Sequence, residues 1–385
     1  MIHENLIKVT DIKVSGELPD PFRMENGERI RECGQWAARR AEIYKTAVEL
    51  QYGTQPPPPE FVTVEPICER LGVDFYMMSY RITTGTRQNP VSFTMYTFSP
   101  PNDAGTYPAV IDGDLCFRYV YDKAFIRTFT DAGLMLVMFA RTELADDIRG
   151  TTRGRGPLHK TYPDYTFGAI GAWAWGYSRC VDALEQLGIA DMDCITFTGH
   201  SRGGKTAILA GALDERAAIV NPNATCAGGC GCYRLRIKAV TEDGDERESE
   251  QLEAFYRYDA GYWFGPDLEQ YVGREQELPF DSHFLKAMIA PRILLVSEAA
   301  SDIPANPVGS WMTTVAAQEV YQFLGVPQNL YWSFRHGYHE HAIEDLQLLV
   351  NVILHRRNGI PLSDAFFRTP FPQPERIFSW RKPTV

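Results

Sequence analysis

Nowhere does this sequence of 385 residues stay apolar for the roughly twenty residues a bilayer-crossing helix needs, which excludes an integral membrane protein. Positive charge is in deficit: 38 Lys+Arg against 49 Asp+Glu leave a net charge of −11, a balance that repels a phosphate backbone and excludes nucleic acid as a partner. The opening Met1-Ile2-His3-Glu4-Asn5 shows neither a basic n-region nor an apolar h-region, so a cytoplasmic location is expected. Cysteine is too sparse for a disulfide framework, with five of the eight scattered singly, and reduced buried thiols are expected. Cys226, Cys230 and Cys232 form a C-x3-C-x-C cluster, but no fourth Cys or His lies nearby at a familiar spacing, so no metal is expected. G-x-G-x-x-G does not occur, and no cofactor is expected. No linker rich in Gly or Ser divides the chain and no repeat is visible, so 1–385 is read as one domain.

What is present is alternation. Gln35 to Tyr52 carries apolar residues at helical spacing and is closed by Pro56 to Pro59, which suggests a helical preface over about residues 1–60. Asp74 to Thr83 and Val91 to Ser99 mix aromatic and β-branched residues with polar ones, as antiparallel strands opening a sheet do. From Pro108 onward, short apolar runs at 109–111, 134–139, 194–197, 217–220 and 293–296 are separated by helical segments. Near-continuous apolar strands joined by helices predict an α/β fold, a mostly parallel central sheet flanked by helices on both faces in three layers. The stretch from about 233–283 is longer than a strand-to-helix connection needs and predicts an insertion over the active-site end of the sheet. Its acidic run, Glu242 to Glu246, reads as a solvated loop.

The chemistry is carried by Gly199-His200-Ser201-Arg202-Gly203, a G-x-S-x-G pattern between the strand at 194–197 and a helix of small residues. A nucleophile elbow needs that context, because a turn so tight excludes bulky side chains two residues either side of the serine, whose oxygen then stands above the sheet. The turn also places helix N–H groups and a partial positive charge beside a developing oxyanion. A serine at its free pKa is a poor nucleophile and needs a base and a group to orient that base, in the chain order Ser, Asp or Glu, His. After the run at 293–296, Asp302 fits the loop for the orienting acid better than Glu298, which is closer to the strand end. Of the three histidines beyond the last strand candidate, 329–334, His339 is the preferred base, with Gly337 loosening the turn. His336 and His341 are then surface or satisfied loop residues. A β3–αA loop N–H near Gly113 or Asp114 is the expected second oxyanion donor.

The run Gly199-His200-Ser201-Arg202-Gly203-Gly204-Lys205 resembles the G-[CH]-S-R-x-G-K motif of the glucuronoyl esterases, carbohydrate esterase family 15 of the α/β hydrolases. The resemblance extends to Gln35 to Arg40, to Gly168 to Gly176, to Gly211 to Arg216 and to Ile289 to Arg292. It implies an α/β-hydrolase fold and a serine esterase acting on a carboxylic ester of a carbohydrate or related small molecule, with no cofactor or metal. It further implies that Arg202 helps hold the oxyanion and that Lys205 contacts sugar hydroxyls. Trp263, in an aromatic stretch of the insertion, is either a surface for a sugar face or a core aromatic. Two positions depart from the family pattern: Ala224 stands where many members carry a catalytic Glu, and Ile303 where a tryptophan often follows the late acid. The departures keep open an acetyl esterase or general carboxylesterase with the same triad, and a non-catalytic sugar-binding protein of the same fold. The oligomeric state is not legible.

Overall fold

A computed structural model describes residues 6–72, 74–101, 105–118, 122–150 and 152–384. Among these the strands are, in chain order, β1 (Lys8–Val14), β2 (Phe61–Leu71), β3 (Tyr76–Gly85), β4 (Pro90–Ser99), β5 (Tyr107–Asp112), β6 (Met135–Phe139), β7 (Ala190–His200), β8 (Ala217–Asn223), β9 (Leu235–Val240), β10 (Glu246–Glu248), β11 (Ile293–Ala299) and β12 (Leu330–Arg335). Nine of them build one sheet in the order β2-β3-β4-β6-β5-β7-β8-β11-β12, while β1, β9 and β10 form a small second sheet. The pairs from β2 to β6 are antiparallel, and every pair from β6 to β12 is parallel. Together with helices on both faces, this is the α/β-hydrolase fold.

The two-residue period of each strand sends alternate side chains to different layers. Ala109 and Ile111 join one apolar cluster with Ile170, Trp173 and Tyr177 of the helix Ala169–Leu187. Val110 between them joins the other, with Phe125 and Phe129 of Lys123–Thr130 and Leu349 and Ile353 of Ile343–Asn358. Strands β5, β6 and β11 are buried along their full length, which is why the sequence runs there are apolar without alternation. Asp122 starts the helix Lys123–Thr130 by accepting the Phe125 N–H, satisfying one of the orphan donors of its first turn.

The helical preface expected over about residues 1–60 is corrected in part. Trp36–Ile43 and Leu50–Tyr52 are α-helical, with a wider π segment at Tyr44–Glu49 between them, but Lys8–Val14 is a strand. Its pairing partner β9 lies more than two hundred residues away inside the 233–283 segment, so no local pattern could announce it. The acidic run within that segment is the exposed hairpin turn between β9 and β10, closed by the Thr241 N–H to Asp245 carbonyl bond. Strand β2 also escaped the sequence reading, because Pro66 interrupts it; as an edge strand it tolerates the missing donor through a register shift.

Candidate active site

Strand β7 delivers Ser201, the candidate nucleophile. Ser201 sits in a strained conformation, φ 58° and ψ −120°, between β7 and the helix Arg202–Leu213, and its N–H donates to the Asn223 carbonyl at 2.9 Å. The flanking glycines are sterically required. A Cβ at position 199 would lie 2.6 Å from the Gly203 carbonyl oxygen, and one at 203 would overlap the Asp114 carboxylate. Beneath the elbow, buried amides tie three strands together. Asn221 and Asn223 of β8 both donate to the Ser297 hydroxyl of β11, and Asn223 Oδ1 accepts from His200 Nδ1 at 2.6 Å.

Asp302 and His339, the candidate acid and base, arrive on loops after β11 and β12. His339 Nε2 lies 2.9 Å from Ser201 Oγ, and its Nδ1 lies 2.6 Å from Asp302 Oδ2. Because a carboxylate only accepts, Asp302 fixes the proton on Nδ1 and leaves Nε2 free to receive the serine proton. Glu298, the alternative acid, faces away: its Oε1 accepts from Ser310 Oγ at 2.9 Å, and complete burial pushes its carboxyl up to about 8. The other two histidines do other things. His336 is exposed beside Glu242, and His341 accepts from Arg118 Nη2 at 2.8 Å. His200, packed 4.6 Å from the His339 ring, is held neutral, its pKa lowered to about 3 first by burial and then by His339.

The oxyanion donors differ from expectation. The Gly113 N–H donates to Tyr177 Oη at 2.9 Å and the Asp114 N–H to Asp112 Oδ1 at 2.7 Å, so both donors foreseen on that loop are engaged. Arg202 is the first residue of its helix, where an N–H has no intrahelical acceptor and the dipole is positive. Its guanidinium is sandwiched between Trp263 at 4.8 Å and Phe117 at 5.5 Å. Asp147, buried and undetected in the sequence, anchors this arrangement. It accepts from Arg202 Nη1 at 3.0 Å, Tyr262 Oη at 2.8 Å, Trp263 Nε1 at 3.4 Å and Arg141 Nη2 at 3.4 Å. Nothing local marks it, since its four donors come from three segments, two of them, at Arg202 and at Tyr262-Trp263, far along the chain.

A cavity of about 350 Å³ opens beside Ser201, bounded by Lys205, Glu250, Phe255 and Trp263. Lys205 is buried rather than solvated: its Nζ donates to the Thr225 carbonyl and, at 2.8 Å, to Cys226 Sγ. Trp263 is 6% exposed, lines the cavity and supports Arg202. Ala224 is buried with φ 47° and makes no polar side-chain contact, while Asp302 reaches the imidazole from the other loop. Ile303 packs away from the cavity with Ile237 and Val308, leaving Pro304 and Ala305 to face it. Glu250, Phe255 and Tyr258 of the cavity come from the 233–283 segment; the sequence reading placed that segment at this end but did not name them.

Comparison with known proteins fits this geometry. A sequence profile described as glucuronyl esterase of fungi matches residues 82–325. The chain belongs to the glucuronoyl esterase family. It is 32% identical over 325 residues to the 4-O-methyl-glucuronoyl methylesterase of Podospora anserina, an alignment covering 83% of this chain and 63% of that relative, so the chain spans about 63% of its length. Its fold superposes on a family 15 glucuronoyl esterase from Caldicellulosiruptor kristjansonii with a TM-score of 0.81 and 27% identity, covering 95% of this chain and 97% of the other. A serine-to-alanine mutant of the glucuronoyl esterase from Sporotrichum thermophile, solved with methyl 4-O-methyl-β-D-glucopyranuronate, matches with a TM-score of 0.73 and 27% identity over 94% of this chain and 92% of that one. The cytoplasmic location expected above is corrected: the relatives matched by sequence are fungal 4-O-methyl-glucuronoyl methylesterases, and a reading of the first residues does not stand against them. Among the described residues no helix is long and apolar enough to cross a membrane.

Proposed function

We propose that this glucuronoyl esterase family member is a serine esterase that hydrolyses alkyl or aryl esters of a uronic acid, with 4-O-methyl-glucuronate as the acyl group. The observation that carries the proposal is the unbroken chain of hydrogen bonds from Asp302 through His339 to Ser201 at the mouth of a polar cavity. Ser201 Oγ attacks the ester carbonyl while His339 Nε2 takes its proton, and Asp302 stabilises the imidazolium that forms. The oxyanion meets the Arg202 N–H and guanidinium. His339 returns the proton to the departing alcohol; a water molecule, deprotonated by His339 in turn, then releases the acid from the acyl-enzyme.

Lys205 and Glu250 in the cavity favour a hydroxyl-rich acyl group over acetate, because a methyl offers no partner to the Glu250 carboxylate or to the Lys205 N–H not used by Thr225 and Cys226. The non-catalytic alternative finds no support in a site whose nucleophile, base and acid are all within hydrogen-bonding distance. Methyl 4-O-methyl-glucuronate and an aryl acetate, assayed side by side, test the reading. The expected preference for the uronate in kcat/KM is on the order of 10³ or more. Ser201→Ala should lower kcat by on the order of 10⁴ or more with the fold unchanged. Equal rates on the two esters would refute the substrate, and residual activity in the serine mutant within about tenfold of wild type would refute the nucleophile.

A further inference from the structure

The cysteine cluster singled out in the sequence has no part in the hydrolysis, yet one of its members touches the site. Cys226 follows β8 in the left-handed region, φ 46°, and lines the same cavity as Ser201 and His339. Its Sγ lies 2.8 Å from Lys205 Nζ. That approach is enforced. The lysine stem runs under the Phe255 ring, with Nζ 5.2 Å from its centroid, and past two glycines. A Cβ at Gly228 would lie 3.3 Å from Lys205 Cε, and one at Gly229 would lie 3.1 Å from Cγ. The amine is therefore aimed at the sulfur before any ligand arrives. All eight cysteines are free thiols, so Cys226 is not committed to a disulfide.

We propose that Lys205 and Cys226 are a redox-sensitive modification site, joined by dioxygen into an oxygen-bridged Nζ–O–Sγ cross-link that takes the Lys205 ammonium out of the acyl cavity. The separation of 2.8 Å is spanned by a single bridging oxygen without moving either backbone. The step balances as thiol plus ammonium plus O₂ giving the bridge, one water and one proton. Sulfur and nitrogen each lose two electrons, one oxygen atom forms the S–O and N–O bonds, and the other leaves as water. Two equivalents of a dithiol reverse it, each giving two electrons and two protons as it becomes a disulfide, and release the bridging oxygen as a second water. Burial pushes the Cys226 thiol up, opposed chiefly by the Lys205 cation, so the sulfur is mostly protonated and the reaction is slow, on the scale of protein storage. Once formed, the bridge removes the ammonium that faces substrate. This regulatory consequence rests on the proposed function; the cross-link itself does not.

The test is intact-mass and peptide mass spectrometry on protein purified under reductant, then held with and without air. Aerobic protein should gain about 14 Da, one oxygen less two hydrogens, in a peptide that joins the Lys205 and Cys226 segments and resists tryptic cleavage after Lys205. Dithiothreitol should remove it, and neither Cys226→Ser nor Lys205→Gln should acquire it, with thermal melts verifying that both variants fold. Esterase activity should fall in proportion to the cross-linked fraction and recover with reductant. No mass gain, a Cys226–Cys230 disulfide, or simple sulfinic acid at Cys226 would overturn the cross-link whether or not the chain hydrolyses esters. A cross-link in a chain without esterase activity would instead refute the proposed function alone.

Discussion

Replacing Asp302 by Asn tests the orienting role directly, because the change alters one atom and little else. Asp302 is 2% exposed and its Oδ2 receives the His339 Nδ1 proton at 2.6 Å. The backbone bonds at this loop, from the Asp302 N–H to Ala299 and from the Ala305 N–H to Asp302, do not involve the side chain and survive the substitution. An amide at 302 can donate instead of accept, which places the imidazole proton on Nε2, opposite a serine hydroxyl 2.9 Å away that needs an acceptor. The loss of tautomer control and of the charge opposite the imidazolium should lower kcat by about 10²- to 10⁴-fold, about 3 to 5 kcal/mol of transition-state stabilisation. Turnover of methyl 4-O-methyl-glucuronate by Asp302→Asn, followed from pH 5 to 9, measures it, with a thermal melt to verify the fold. Glu298→Gln is the matched control and should cost less than about tenfold, since its carboxyl is engaged by Ser310 rather than His339. An Asp302→Asn enzyme within about threefold of wild type would refute the reasoning and leave the imidazole without a carboxylate partner.

Gly203→Ala should destabilise the chain by about 1 to 3 kcal/mol in denaturant titration, because the added Cβ overlaps an Asp114 carboxylate already held by Arg141 and the His200 N–H. Asp147→Asn weakens buried Arg141 and frees Arg202 from its anchor, so a loss of about 3 kcal/mol in stability and a fall in kcat/KM of at least about tenfold are expected; unchanged kinetics would remove Asp147 from the site's architecture. Glu298 has a folded pKa of about 8 against an ordinary 4.5, so the native state binds the extra proton and stability should decline as pH rises through that window. Glu298→Gln should therefore flatten the decline, melting higher than wild type at pH 9 and little changed at pH 5. Buried His159 and half-buried His200, lowered to about 4 and about 3, contribute stability present above pH 6.5 and lost as pH falls below it, which melts between pH 6.5 and 4 should reveal.

Local constraint made much of this protein readable from its residues. The parallel strands β5, β6 and β11 are buried on both faces and so carry continuous apolar runs at 109–111, 135–139 and 293–296. The elbow's glycines are legible because steric exclusion acts within five consecutive residues. Chain order and loop position also pointed to His339, whose ring lies against Ser201, and to Asp302, which lies against His339. Tertiary structure decided what depends on side chains converging from distant segments. Asp147 acquires its place only when Arg141, Arg202, Tyr262 and Trp263 close around it. The Lys205 ammonium is turned from solvent to Cys226 by a loop after the next strand, and β1 becomes a strand only by pairing with β9. A sequence states the geometry imposed within a turn or a strand; hydrogen bonds and burial between segments far apart in the chain exist only once the sheet has brought them together.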